Sequence, residues 1–267
     1  MRLCLLLYVM PDALATVTQM VKAANFREYP ELTKGGIVMK SSKVVSRIAM
    51  LAAAIAATVG IAFASNGGGV SADEALQKLM DGNQRFVESK MGACAASDAA
   101  AREKLAKTQH PYAVILSCSD SRVPPELIFD KSLGEIFVIR VAGNVADPLV
   151  LGSIEYATEH LGSPLIMVLG HERCGAVTAT VNAKGKPDGN IGAIVKAIEP
   201  SAKQAKKICK GKPNEEVVEC AVEVNAKAVA AGLTKKSKVL AEQLREGKIK
   251  IVAAKYDLDD GKVTLLK

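Results

Sequence analysis

Three short apolar runs stand out from an otherwise amphipathic chain: Tyr112–Ser117, Glu135–Val141 and Leu165–Gly170. They are rich in β-branched residues and read as buried strands. Between and after them the apolar spacing changes to that of helices. Pro124-Pro125 opens a short helical turn, and Asp147 with Pro148 marks the start of a helix running to Leu161, because Asp caps and Pro suits the first helical position. A helix follows Cys174 as far as Ala183, and Ile191–Cys209, Glu215–Ala231 and Lys235–Glu246 read as amphipathic helices with solvated Lys-rich faces. Lys248–Tyr256 and Lys262–Leu266, joined by Asp-Leu-Asp-Asp-Gly, read as a closing hairpin. At the front of this region Ser71 and Glu74 form a capping box, followed by Leu76, Leu79, Met80 and Phe86 at helical spacing, and a second helix is expected over Asp98–Lys107. These two form an N-terminal helical arm expected to pack away from the sheet, against a partner subunit. Repeated β–α passes predict an α/β three-layer domain: a mostly parallel central sheet with helices on both faces.

The first 64 residues follow another pattern. Residues 1–38 show no period or cap, and Met39-Lys40 has the character of a second start. Lys40, Lys43 and Arg47 make a basic segment, Ile48–Ala64 is uncharged and Ala-rich, and Ala62-Phe63-Ala64 is a small-x-small cleavage site. The expectation is an upstream segment over 1–38, outside the translated protein, a secretory signal over 39–64 and a single catalytic domain over 65–267. Export to a periplasm follows, with no stable membrane association once the signal is cleaved. A retained anchor is the competing reading, but 17 weakly apolar residues are at the short end for a span.

Charge changes this picture little. The chain carries 35 Lys+Arg against 28 Asp+Glu. Seven of the basic and three of the acidic residues lie in the first 64, so the surplus on the rest is mild. With no Trp and few other aromatics to stack bases, a nucleic-acid function has no support.

The chemistry sits where two of the apolar runs end. Cys118, Asp120 and Arg122 follow the first, and His171 and Cys174 follow the third. Each half alone has a bland reading, a small buried thiol or a local ion pair. Together, thiolates and an imidazole at the carboxyl ends of two strands form the donor set zinc prefers. Three protein ligands leave a fourth position open for water, and Asp120 is the nearby alternative fourth ligand.

The run CSDSRVPPELIF with FVIRVAGNV and GHERCGAV closely resembles the β-class carbonic anhydrases. The likeness extends from about Ser71 to the C-terminus and is densest over Thr108–Ala176. It implies reversible hydration of CO₂ to bicarbonate and a proton by zinc-bound hydroxide, with Cys118, His171 and Cys174 on the metal. It also implies that Asp120 either binds zinc in a closed form or pairs with Arg122 in the active, open form. Gln109 matches a plant-type residue that hydrogen-bonds substrate, and Phe137, Tyr156 and Gly175 match pocket positions. His160 matches a proposed proton relay, although a histidine ending a helix is equally explained by the helix dipole. Arg140 and Asn144 read as support rather than chemistry. Some pocket residues in that family come from a neighbouring subunit, implying a dimer or larger self-assembly. Certain bacterial members close the site through a Trp–Arg–Tyr trio, but this chain has Ile115 where that Trp would stand, so an open resting site is expected. The rival readings are a related hydrolase of carbon disulfide or carbonyl sulfide, and a non-catalytic zinc-binding protein of the same fold. Cys209 and Cys220, flanking Gly211 and Pro213, read either as a pair able to bridge in an oxidising compartment or as two half-buried thiols.

Overall fold

The computed structural model describes residues 69–185 and 187–267. The upstream segment and the signal read from the sequence lie outside the described residues. Five strands form one sheet in the order β2-β1-β3-β4-β5. They are β1 (Ala113–Ser117), β2 (Ile136–Arg140), β3 (Leu165–His171), β4 (Lys250–Tyr256) and β5 (Val263–Leu266). The first four run parallel, and β5 returns antiparallel to β4 as the expected hairpin. The helices are α1 (Ala72–Val87), α2 (Ala99–Leu105), α3 (Pro125–Ile128), α4 (Pro148–Glu159), α5 (Gly175–Val181), α6 (Ile191–Ile208), α7 (Asn214–Lys236) and α8 (Lys238–Arg245). The α/β sandwich read from the apolar runs is the observed one.

Strand parity builds the layers. Ala113 and Ile115 of β1 and Leu165, Met167 and Leu169 of β3 face one side, where they meet Ala75 and Leu79 of α1 and Ile128 of α3. Val114, Leu116, Ile166 and Val168 face the other, against Val150 and Ile154 of α4 and Ala226 and Leu233 of α7. Both strands are buried along their whole length, which explains why they lack polar alternation. A third cluster joins Val177 and Val181 of α5 to Ile198 of α6 and Val222 of α7, and it contains Cys118 and Cys174.

Two expectations need correction. Helix α1 does not pack away from the sheet: Ala75 and Leu79 are fully buried in the sheet's own core. Asn83 ties it inward. The Asn83 amide donates to the carbonyls of Ile128 (3.2 Å) and Gly261 (2.8 Å), and its oxygen accepts from Val263 N (2.8 Å). Helix α7 also runs through Gly232, where a stop was expected. Leu233 is fully buried and carries the helix on to Ser237, whose hydroxyl then accepts from Leu240 N and caps α8. The caps themselves are as read: Ser71 accepts from Glu74 N, Asp98 from Ala101 N and Asp147 from Val150 N. Cys209 and Cys220 are free thiols, placed where α6 ends and α7 passes it. The Cys220 sulfur lies 3.9 Å from the Ala205 carbonyl, the same carbonyl that accepts from Cys209 N at 2.8 Å.

Asp130, after α3, is 3 % exposed. Its carboxylate accepts from Arg85 Nε (2.6 Å), Gly92 N (3.0 Å) and Ala93 N (2.8 Å). Burial alone would raise its pKa, but the Arg85 bond and the two backbone N–H groups prevail and lower it. A depressed folded-state pKa contributes stability above the unfolded value of about 3.9, lost as pH falls through the folded value. Asp130→Ala should therefore cost about 2–4 kcal/mol at pH 7, and urea titrations should show the gap to the parent closing below about pH 4.

Candidate metal centre

Strands β1 and β3 are parallel neighbours with Ser117 opposite Leu169, so their carboxyl ends emerge side by side. Cys118 follows β1, His171 ends β3, and Cys174 stands immediately before α5. Two strand ends and one helix start thus converge on one point. The ligand atoms of these three buried residues all lie within 4.8 Å of one another, and the two sulfurs are 3.9 Å apart.

The imidazole is oriented by its far side. His171 Nδ1 meets the Glu172 carbonyl at 2.8 Å. A carbonyl can only accept, so Nδ1 holds the proton and Nε2 presents a bare lone pair. That Nε2 is buried with no hydrogen-bond partner among the described residues. The thiols titrate as one unit. The neighbouring Cys174 thiol pulls Cys118 down to about 4 against the effect of burial, helped by His171 and by Gly143 N–H, which stands 3.3 Å from the sulfur. Cys174 is pushed up by the Cys118 sulfur and by burial. The first proton leaves readily, and the second is retained because two negative charges this close in a dry site repel. A divalent, borderline-soft cation resolves both defects: it neutralises two thiolates and takes up the orphaned imidazole lone pair. Zinc fits this donor set.

Asp120 stands beside the triad but is turned away from it. Arg122 grips it through Nε (2.9 Å) and Nη2 (2.8 Å), and the Arg122 backbone N–H adds a third bond at 3.0 Å. This pairing holds the Asp120 carboxyl well below the usual carboxylate range. Its Oδ2 still comes within 3.9 Å of His171 Nε2. Arg140 secures the loop from behind, donating to the carbonyls of Cys118 (2.9 Å) and Asp120 (2.5 Å).

The carbonic anhydrase family pattern matches residues 113–263. Carbonic anhydrase 2 of Mycobacterium tuberculosis is 39 % identical over 194 residues, covering 72 % of this chain and 91 % of that protein. The carbonic anhydrase of Mycolicibacterium smegmatis shows the same identity and coverage. Among solved structures, the β-carbonic anhydrase CafA of Aspergillus fumigatus superposes with a TM-score of 0.60 at 26 % identity, covering 69 % of this chain and 87 % of that one. This chain belongs to the β-class carbonic anhydrases.

Within this carbonic anhydrase chain the other sequence-derived residues fall into two groups. Gly175 opens α5 directly after Cys174, and nothing lies within 4 Å of where its Cβ would be; it leaves the space over the helix start open. Gln109, Phe137, Tyr156 and His160 are not brought to the triad. Phe137 pairs with Val114, four residues upstream of Cys118, or about 13 Å along the strand. Its ring lies 6.3 Å from that of Tyr156, which lies 5.3 Å from that of His160. Gln109 precedes β1 and lines a shallow cavity with Thr108, Leu133 and Gly134.

Two supporting residues escaped the sequence reading. Gly143, with φ +70°, brings its N–H to the Cys118 sulfur; a Cβ there would meet Ile198 Cδ1 at 2.5 Å. Asn225 of α7 donates to the Gly143 carbonyl at 2.9 Å. A lone fully buried Asn on an apolar helix face was its only signal. Asn144, read as support, adopts φ +45° and closes the turn through its own N–H to the Val141 carbonyl at 2.9 Å.

Proposed function

We propose that this protein hydrates CO₂ reversibly to bicarbonate and a proton, with zinc held by Cys118, His171 and Cys174. The observation carrying this reading is the buried Cys–His–Cys triad beside a carboxylate gripped by arginine. When bound, zinc supplies Lewis acidity, lowering the pKa of a water toward about 7. The chain supplies the aim. Asp120 stays ionised through the neutral range because Arg122 holds it, and it accepts a hydrogen bond from the nucleophilic water, turning the water's lone pair toward the carbon of CO₂. Arg140 and Gly143 keep the Cys118–Asp120 backbone from shifting as charge moves. Gln109 steadies the developing bicarbonate oxygen.

Gln109, Phe137 and Tyr156 reach a metal centre only from a second copy, so the active unit is a homodimer or a multiple of one. The unpaired edge strand β2 supports this. Its Ile136, Phe137, Val138 and Ile139 are all only partly buried, and on neighbouring α4 Leu149 is 82 % exposed and Tyr156 48 % exposed. An apolar open edge invites pairing with another copy. Leu149→Glu together with Phe137→Glu should shift the protein toward monomer in sedimentation and lower turnover with zinc retained. The site is of the open, plant-type kind. Ile115, in place of the Trp of the closed-site trio, is buried in the core, and Asp120 is engaged by Arg122 rather than by the triad. His160, stacked near Tyr156 at the α4 end, is the proton relay. The signal over 39–64 directs export before the 65–267 domain folds; the support is its charge and apolar pattern, and N-terminal sequencing of secreted protein tests it. No described helix is long and apolar enough to cross a membrane.

Metal analysis beside CO₂ hydration on the purified chain tests the whole reading. One zinc per chain with activity lost on chelation and regained with zinc is expected; full activity in metal-free protein overturns it.

A further inference from the structure

Away from the metal centre, Lys131 has an unusual setting. It follows Asp130 at the end of α3 and is 8 % exposed. Its stem lies against α1, with Cε 3.1 Å from where a Cβ on Gly82 would be. The amine stands 5.8 Å from the centre of the Tyr112 ring, and Lys78 Nζ stands equally far from the same ring. Among the described residues no acid pairs with the Lys131 amine. Two acids act on it through space: Asp130 is bound by Arg85, Gly92 and Ala93, and Glu135 is held through Oε2 alone, by Ser132 N (2.7 Å) and Oγ (2.9 Å). Lys131, Asp130 and Glu135 line a cavity of about 330 Å³ with Arg85, Lys90 and Ser132.

Two further groups in this corner lack partners. The Tyr112 hydroxyl is buried without a hydrogen bond. Arg85 uses only Nε on Asp130, leaving its terminal nitrogens unpaired among the described residues. The corner therefore gathers a buried amine, an unpartnered buried phenol and the terminal nitrogens of a half-exposed guanidinium, more donors than the carboxylates there bind.

We propose that Lys131 is a carbamylation site, whose amine takes up CO₂ reversibly and whose product carboxylate adds an acceptor among these donors. The ammonium first yields a proton to solvent. The freed lone pair forms an N–C bond to CO₂ as one C–O π pair moves onto oxygen. The nitrogen then sheds a second proton, leaving a carbamate anion and two protons, with no change of oxidation state. The new group extends about 2 Å beyond Nζ, in the cavity that Arg85 also lines. Burial pushes the Lys131 amine below the usual lysine range; Arg85 and Lys78 add to that, while Glu135 and Asp130 oppose it. Desolvation beside other cations is how lysines become nucleophiles. Burial pushes the Tyr112 hydroxyl up, so it remains a donor. CO₂ suits the cavity because it is small and uncharged on entry. The proposal goes beyond the hydration reaction and needs neither zinc nor turnover.

The test is covalent trapping on the full-length holoprotein. The chain is equilibrated with ¹³C-labelled CO₂/bicarbonate, alkylated with a trialkyloxonium salt and mapped by peptide mass. Trapped label at Lys131 should exceed that at the solvated Lys196 and Lys206 severalfold. In urea-unfolded chain the preference should vanish. Lys131→Arg should remove the label while CO₂ hydration and zinc content stay at the parent level. Label at Lys131 no higher than at Lys196 in the folded wild type overturns the proposal, whether or not the variant folds. So does a bound ¹³C signal that leaves no covalent adduct, which would mean bicarbonate held by charge alone. Loss of hydration activity with Lys131 still labelled would count against the proposed enzyme function and leave this site standing.

Discussion

Cys118→Ser and His171→Ala should each leave a folded protein that holds no zinc and has lost CO₂ hydration by at least about 10³-fold. That is beyond the 10–100-fold typical of removing a group that merely orients a ligand. The reason is that neither residue has a substitute. His171 supplies the imidazole of the triad, and the Glu172 carbonyl sets its tautomer so that Nε2 keeps its lone pair. Removing Cys118 takes away the sulfur that Gly143 N–H steadies and that forces Cys174 to keep its proton. The fold should survive, because the surrounding cluster of Val177, Val181, Ile198 and Val222 is untouched. Zinc content by mass spectrometry and stopped-flow hydration, read beside far-UV circular dichroism, check this. Hydration persisting in metal-free protein would refute the metal assignment. Asn225→Ala offers the graded contrast: Gly143 loses its anchor, and zinc affinity should fall by about 10–100-fold rather than vanish.

Gly82→Ala should be the most damaging small substitution outside the site. A Cβ at Gly82 would lie 1.8 Å from the Phe129 carbonyl oxygen and 2.7 Å from its carbon. Backbone cannot swing aside as a side chain can, so α1 has to lift from the turn after α3. Lifting it exposes Ala75 and Leu79 and strains the three hydrogen bonds of Asn83. We expect a loss of about 3 kcal/mol or more, and a fall in Tm of roughly 6–12 °C for a domain of this size. Zinc content at low temperature should be unchanged, since α1 carries none of the Cys118, His171 and Cys174 donors. Thermal unfolding followed by circular dichroism decides it; a Tm within 2 °C of the parent would show that α1 docks loosely.

The chemistry-bearing residues were legible in the sequence because each is announced by its own neighbours. Cys118 and His171 interrupt apolar runs at the point where a strand has to end. Ser71, Asp98 and Asp147 cap helices through bonds that span only three residues. Asp120 and Arg122, two apart, left two readings open in the sequence, a local ion pair or Asp120 as a fourth ligand. Such local signals need no knowledge of the fold. What holds the triad in shape is different in kind. Gly143 reaches Cys118 across 25 residues, Arg140 across 22, and Asn225 reaches Gly143 across 82. The inward docking of α1 rests on Asn83 bonds to Gly261 and Val263, nearly 180 residues on. The isolation of Lys131 is likewise invisible in its surroundings in sequence, where Asp130 and Glu135 look like its natural partners. Only the folded chain shows Asp130 bound by Arg85, Gly92 and Ala93 and Glu135 turned to Ser132 through Oε2. By itself, then, the sequence determined the strands, the caps and the Cys118, His171 and Cys174 candidate set, since period-2 and period-3.6 burial and short-range hydrogen bonds act within a few residues. The tertiary structure decided the Cys118–Cys174 separation of 3.9 Å, the bracing of Cys118 by Gly143 and Arg140 and the burial of Lys131, because those depend on groups far apart in sequence meeting in the fold.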